Sequence, residues 1–287
     1  MSNKVVKKES GSIKNTEGLP IRFDMYYPHP SPDVLKPVLF VHGFKGFKDW
    51  GPFPDACAEL AAGNFAVIAF NQSLGGIGEN PTEFDRLDLF QRQTLTQDQE
   101  DITCILKAIR DLAIIAPNIK LDPDNIAIIG HSRGGHTAVV AAAEQDSIVK
   151  LVTWSAVANY KTIISESMIK DWEKQGYTEI PNARTGQTMR IDRLLYDDFN
   201  KNINKLLASE RVKSLYIPCC FIHGRDDETV PVKQVSELYN NCPSGDKRRV
   251  IIENAGHTFD ASHPFYEEDF PPKFQELLDH TKSWLTD

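Results

Sequence analysis

Residues 126–135 constrain the fold of this chain more than any other stretch. Four apolar residues lead into Gly-His-Ser-Arg-Gly, and a run of small residues follows at 138–143. The pattern G-x-S-x-G between a strand and a helix is typical of a sharp turn that lifts a serine hydroxyl out of a sheet. Glycine flanks such a serine because a larger side chain would collide with the neighbouring strand or helix. We therefore predict a buried strand, a tight turn at Ser132 and a helix.

Ser132 in such a turn is a candidate nucleophile. A serine hydroxyl is a weak nucleophile at neutral pH and needs a general base within hydrogen-bonding reach. The oxyanion that forms on attack needs backbone N–H donors. The Arg133 N–H lies at the predicted N-terminus of the helix, where it has no intrahelical acceptor and the helix dipole favours negative charge. We expect Arg133 to supply one of these donors.

Apolar strand-like runs alternate with amphipathic helical segments along most of the chain. The buried runs are 38–41, 65–70, 126–131, 148–157, 215–222 and 249–252, and the helical segments are 53–62, 98–115, 231–239 and 274–285. Short antiparallel strands are predicted within 5–27. This alternation predicts an α/β fold, with a mostly parallel sheet and helices on both faces. We expect one domain over 1–287, interrupted at 158–214 by a polar segment that we interpret as a small helical cap.

Polar residues follow several of these strands at the point where each one ends. His42-Gly43-Phe44 follows the first buried strand, Asp227 follows the run at 215–222, and His257 follows the last. Ligands bind beyond the carboxyl ends of parallel strands. A triad needs a base beside the serine and an acid that orients the base. We therefore expect His257 to be the base, Asp227 the acid and Phe44 N–H the second oxyanion donor.

Several neighbours compete for these roles. Asp226 and Glu228 flank Asp227, whose spacing to the following Val-Pro pair favours it as the acid. His263 competes with His257, but it lies farther from the strand and precedes a proline. The order serine, acid, histidine along the chain is the order found in α/β-hydrolases.

The chain resembles the α/β-hydrolase superfamily in nearly all of its length. The His-Gly-Phe loop, the Gly-His-Ser-Arg-Gly-Gly turn, the Asp227 loop and Gly256-His257 carry this resemblance. The sequence from His42 to Trp50 is similar to that loop in cinnamoyl and feruloyl esterases and in relatives of dienelactone hydrolases and prolyl oligopeptidases. The resemblance implies a serine esterase that acts on a small-molecule ester, with aryl or cinnamoyl esters as candidates.

Composition excludes several other classes of function. Lysine and arginine number 32 against 40 aspartate and glutamate residues, and this formal charge of −8 argues against nucleic-acid binding. No apolar run is long enough for a bilayer, and no secretory leader is recognised at the start. The five cysteines have no metal-type spacing, so we expect free thiols, no metal, no cofactor and a cytoplasmic protein. A monomer or homodimer is expected.

Three residues are predicted to contact substrate: Gly43, Phe47 and Trp154. Two alternatives remain open at this point. The same triad serves peptidases and acyltransferases, and a relative that has kept the fold without catalysis would bind a ligand only. The segment 158–214 is expected to set the size of the substrate.

Overall fold

The computed structural model describes residues 5–32, 34–114, 119–182 and 185–287, which contain eleven strands and ten α-helices. The strands are β1 (Val5–Lys14), β2 (Pro20–His29), β3 (Val34–Val41), β4 (Phe65–Phe70), β5 (Lys120–Leu121), β6 (Ile126–His131), β7 (Ile148–Trp154), β8 (Tyr177–Pro181), β9 (Thr188–Asp192), β10 (Cys219–Gly224) and β11 (Lys247–Ile252). The helices are α1 (Phe53–Ala61), α2 (Leu87–Phe90), α3 (Leu95–Arg110), α4 (Arg133–Glu144), α5 (Glu166–Gln175), α6 (Leu194–Lys201), α7 (Ile203–Leu206), α8 (Ala208–Arg211), α9 (Lys233–Asn241) and α10 (Pro272–Thr286).

One large sheet organises the described residues. Its strands lie in the order β1-β2-β4-β3-β6-β7-β10-β11, and β5 pairs with the start of β3. The pairs β1–β2 and β2–β4 are antiparallel, and every later pair along this order is parallel. The carboxyl ends of β3, β6, β10 and β11 therefore meet at one edge, which is where the candidate residues follow their strands.

Both faces of the sheet are covered, so the central strands are apolar throughout. Along β3, Val38 and Phe40 pack in the cluster that contains α1 and α10. Leu39 and Val41 point the other way, into the cluster that contains α3, α4 and α9. This alternation follows from the two-residue period of a strand. The predicted α/β class, with a mostly parallel sheet between helices, is confirmed.

Helix α3 differs in its bounds from the predicted helix at 98–115. It begins at Leu95 because the Thr94 side chain caps it by accepting a hydrogen bond from Gln97 N–H. It ends at Arg110, and the predicted final residue, 115, lies outside the described residues.

The segment 158–214 contains helices α5 to α8 and also a hairpin of β8 and β9, which the sequence pattern does not predict. Ile191 lies in β9 and is buried. Its carbonyl accepts a hydrogen bond from the Trp172 indole of α5 at 3.0 Å. The hairpin strands have only five residues each, which is too short for a two-residue period to stand out from a helical one.

Across the described ranges, no helix combines the length and the hydropathy that a membrane crossing needs.

Candidate active site

Ser132 occupies a strained turn between β6 and α4. Its backbone has φ 58° and ψ −119°, a conformation that costs a non-glycine residue about 1–3 kcal/mol. Its N–H donates to Trp154 O at 2.8 Å, and its carbonyl accepts from Gly135 N–H at 3.0 Å. A Cβ on Gly134 would overlap the backbone carbonyls at the end of β3. The flanking glycines are therefore required because the turn packs directly against neighbouring backbone.

Asp227 and His257 meet across the loops that follow β10 and β11. His257 Nδ1 lies 2.8 Å from Asp227 Oδ2, and Asp227 Oδ1 accepts from the N–H groups of Thr229 and Val230. Burial alone would raise the pKa of Asp227, but hydrogen bonds from His223 and His257 outweigh it and hold that pKa well below its usual range. Asp227 is therefore an anion at neutral pH, and it fixes the proton of His257 on Nδ1.

The competing residues are placed elsewhere. Asp226 and Glu228 are exposed, whereas Asp227 is buried. His263 Nδ1 accepts a hydrogen bond from Gly51 N–H at 2.9 Å, and its ring stacks on Trp50. Asp227 and His257 are in contact with each other, whereas Asp226, Glu228 and His263 lie apart from this contact.

Ser132 and His257 line the same cavity, which has a volume of about 260 Å³. Three aromatic residues contribute to its wall: Phe44, Trp50 and Phe53. Lys45 and Asn182 line it as well, and Lys45 Nζ donates to the carbonyl of Pro181, which ends β8. The segment 158–214 therefore contributes Asn182 to the lining of the cavity.

The loop after β3 brings backbone N–H groups to the turn at Ser132. A Cβ on Gly43 would lie only 2.9 Å from Ser132 Cβ, so the loop lies directly against the serine. The Gly43 carbonyl accepts from His42 Nδ1 at 2.9 Å and from Gly46 N–H at 3.0 Å. In a trans peptide the N–H points opposite to the carbonyl, so Phe44 N–H points away from these two donors. Within the described residues, neither Phe44 N–H nor Arg133 N–H donates to a protein acceptor.

The Arg133 side chain is directed into the protein. Its Nε donates to Asp98 at 2.8 Å, Nη2 donates to Thr94 O at 3.2 Å, and Nη1 donates to Gln93. The guanidinium and the Asp98 carboxylate are both almost fully buried. This ion pair ties the start of α4 to α3, so the side chain of Arg133 anchors the turn while its N–H remains available to a ligand.

Comparison with protein-family models matches residues 89–242 to the BD-FAE model. The match spans more than half of the chain and includes Ser132 and Asp227. The chain belongs to the BD-FAE family. It is therefore a BD-FAE hydrolase, related to feruloyl esterases. No curated protein matches the chain significantly.

Solved structures share the fold of this BD-FAE protein over almost its whole length. A putative hydrolase from Agrobacterium vitis S4 is 15% identical, with 98% of this chain and 99% of that chain covered and a TM-score of 0.71. Est1E from Butyrivibrio proteoclasticus, solved with ferulic acid bound, is 17% identical, with 96% and 98% covered and a TM-score of 0.69. A putative dienelactone hydrolase from Klebsiella pneumoniae subsp. pneumoniae MGH 78578 is 15% identical, with 99% of each chain covered and a TM-score of 0.63. These likenesses confirm the predicted α/β-hydrolase fold.

Two of the three predicted substrate contacts are in the core of the BD-FAE fold. Phe47 is fully buried, with its ring against Phe84 and His263. Trp154 is fully buried on the face that α10 covers, where its indole N–H donates to Thr281 Oγ1 at 3.0 Å. Neither lines the cavity, so the prediction for these two is corrected. Gly43 does line it.

A set of buried histidines surrounds the site, and the sequence pattern assigns them no role in catalysis. His42 donates to Gly43 O, His131 Nε2 lies 3.0 Å from His257 O, and His223 Nε2 lies 2.8 Å from Val230 O. Each ring therefore holds the backbone of one loop of the site. Burial lowers the pKa of His42 to about 4 and that of His131 to about 3, so both are neutral at pH 7. The signal available in sequence was that each histidine stands at a strand end beside a glycine or the serine.

Proposed function

We propose that this BD-FAE hydrolase is a serine esterase that cleaves carboxylic esters through an acyl-enzyme on Ser132. His257 is the general base, and Asp227 orients it. The observation that carries the proposal is the 2.8 Å contact between His257 Nδ1 and Asp227 Oδ2, with His257 and Ser132 lining one cavity. A serine hydroxyl is activated when a base lies beside it and a buried carboxylate orients that base.

The chemistry proceeds in two halves. Because Nδ1 of His257 carries the proton shared with Asp227, Nε2 has the lone pair and takes the proton of Ser132 Oγ as Oγ bonds to the ester carbonyl carbon. Nε2 then returns that proton to the departing alcohol oxygen, and the acyl group stays on Ser132. A water molecule repeats the attack with the same base, which releases the acid and restores the serine.

Two backbone donors stabilise the oxyanion in this proposal. Phe44 N–H lies in the loop that packs against Ser132, and Arg133 N–H is at the positive end of the α4 dipole. The Gly43 peptide is held in place by two hydrogen bonds to its carbonyl before any substrate binds. Donors fixed in advance require no reorganisation when charge develops.

The cavity favours a small acid with an aromatic group. Its volume of about 260 Å³ lies below the range of about 300–1,000 Å³ that drug-sized ligands occupy. Phe44, Trp50 and Phe53 line the cavity, and aromatic side chains pack well against a flat ring. Est1E, which shares the fold, has ferulic acid bound. We therefore propose aryl or cinnamoyl esters as the substrate class.

The test compares Ser132→Ala with Ser155→Ala, a matched removal of a hydroxyl from a buried serine at the end of the neighbouring strand. We expect Ser132→Ala to lower kcat on p-nitrophenyl acetate and methyl ferulate by at least about 10³-fold, and Ser155→Ala to change it less than twofold. Hydrolysis that survives in Ser132→Ala contradicts the proposal.

A substrate panel separates the esterase from its alternatives. We expect methyl cinnamate and methyl ferulate to be cleaved faster than aminoacyl p-nitroanilides of similar size. Preference for the anilides would instead indicate a peptidase. Transfer of the acyl group to an added alcohol in preference to water would indicate an acyltransferase.

A further inference from the structure

His131 contacts three segments of the site at once. It is the last residue of β6 and directly precedes Ser132. Its Nε2 lies 3.0 Å from the backbone oxygen of His257, and the two imidazole rings are 4.9 Å apart at an angle of 45°. A Cβ on Gly43, in the loop after β3, would lie 3.4 Å from His131 Nδ1. One ring thus joins the serine turn, the loop of the base and the loop of Phe44.

The hydrogen bond fixes the tautomer of His131. A carbonyl only accepts, so Nε2 must carry the proton and donate it to His257 O. His131 is 8% exposed, and burial lowers the pKa of its imidazole to about 3, so the ring has a single proton at neutral pH. Neutrality matters because His257 becomes positive when it takes a proton, and a second positive charge at this separation would oppose that step.

We propose that His131 is a positioning residue, whose Nε2–H and ring set the imidazole of His257 against Ser132. This inference rests on the proposed esterase function. The backbone of His257 belongs to a loop after the last strand, whereas Ser132 is fixed by β6, β7 and α4. The hydrogen bond from His131 ties the loop of the base to the residue that is covalently attached to the nucleophile. A misplacement of about 1 Å between reacting groups costs on the order of 10²-fold in rate.

The test uses His131→Phe and His131→Gln. Phenylalanine retains a ring that can pack on His257 and on Phe53, but it has no donor. Glutamine loses the ring and places an amide N–H near the position of Nε2, from which it donates to the same carbonyl. We expect His131→Phe to lower kcat on methyl ferulate by about 10- to 100-fold, with KM changed less than threefold. We expect His131→Gln to recover at least half of the wild-type kcat.

A second readout uses the reaction of Ser132 with a fluorophosphonate, because its second-order rate depends on the base and needs no ester binding. The same ranking is expected, with wild type and His131→Gln faster than His131→Phe. Equal losses of kcat and of labelling rate in both variants, together with equal falls in Tm, would show that His131 only packs in the core and would overturn the inference. Full activity in His131→Phe would overturn it as well. Absence of ester hydrolysis in the wild-type protein would instead overturn the proposed function, so the two failures are distinguishable.

Discussion

Replacing Asp227 by asparagine tests the proposed acid most sharply, because all four of its neighbours are donors. Oδ1 accepts from two backbone N–H groups, and Oδ2 faces His257 Nδ1 at 2.8 Å and His223 Nε2 at 3.2 Å. An amide retains one oxygen and brings an NH₂ group to the other position. Either the two backbone N–H groups or the two imidazoles must therefore face the NH₂ group, which is itself a donor.

The two orientations of the amide differ in cost. If the NH₂ faces Thr229 and Val230, two backbone N–H groups lose their acceptor, at about 1–3 kcal/mol each. If the NH₂ faces His257, the imidazole proton moves to Nε2, and Nδ1 then accepts a hydrogen bond from the amide. His223 still donates to Val230 O at 2.8 Å. The second orientation costs less. It leaves His257 with no lone pair toward Ser132, for which a loss of about 10⁴-fold in kcat is the expected scale.

The assay measures kcat on methyl ferulate at pH 7.5 for Asp227→Asn and for the matched control Asp226→Asn. Asp226 is exposed, so its variant is expected to retain kcat within twofold. The Asp227 variant is expected to fold, with Tm lowered because strong hydrogen bonds to a carboxylate become weaker bonds to an amide. An Asp227→Asn protein that folds and retains more than a tenth of the wild-type kcat would show that Asp227 is not the acid that orients His257.

Three further outcomes follow from burial and close packing. Gly134→Ala forces a Cβ into the carbonyls at the end of β3, so the free energy of unfolding measured in urea is expected to fall by about 3 kcal/mol. The control Gly245→Ala, whose Cβ meets open space, is expected to lower it by less than about 0.5 kcal/mol. Asp98→Ala leaves the buried guanidinium of Arg133 without its ion partner, so the free energy of unfolding is expected to fall by about 3–5 kcal/mol; a loss below about 1 kcal/mol would contradict the burial of this pair. Burial lowers the pKa of His42 to about 4, so its ring resonances in NMR are expected to stay constant from pH 8 to 5.5, and a midpoint near 6.5 would contradict its burial. Since the unfolded ring titrates near pH 6.5, the stability that neutral His42 contributes is complete above that pH and is lost as the pH falls toward 4.

Much of the site could be predicted because its candidate catalytic residues lie in loops that directly follow the ends of strands. The serine turn at Ser132 and the approach of Asp227 to His257 depend on backbone topology, and parallel strands bring their carboxyl ends together whatever the loops contain. The glycines beside Ser132 gave a further local signal, since the close backbone contacts there exclude a side chain.

The aromatic residues show why side-chain contacts were harder to predict. Trp154 ends a strand beside the serine turn, but alternation along β7 directs its ring to the α10 face. Phe47 lies only three residues from Phe44, yet it turns into the core while Phe44 lines the cavity. The hairpin of β8 and β9 was not predicted because it is stabilised by packing against α5. The pattern of five residues in each strand does not encode that contact.

Covalent labelling tests directly whether Ser132 is the nucleophile. The protein is treated with a fluorophosphonate at pH 7.5 and analysed by mass spectrometry of the intact chain and of its peptides, with Ser132→Ala as the control. We expect one adduct per chain, located on Ser132, and no adduct in Ser132→Ala. An unlabelled wild-type protein that remains folded, or a label that persists in Ser132→Ala, would contradict it.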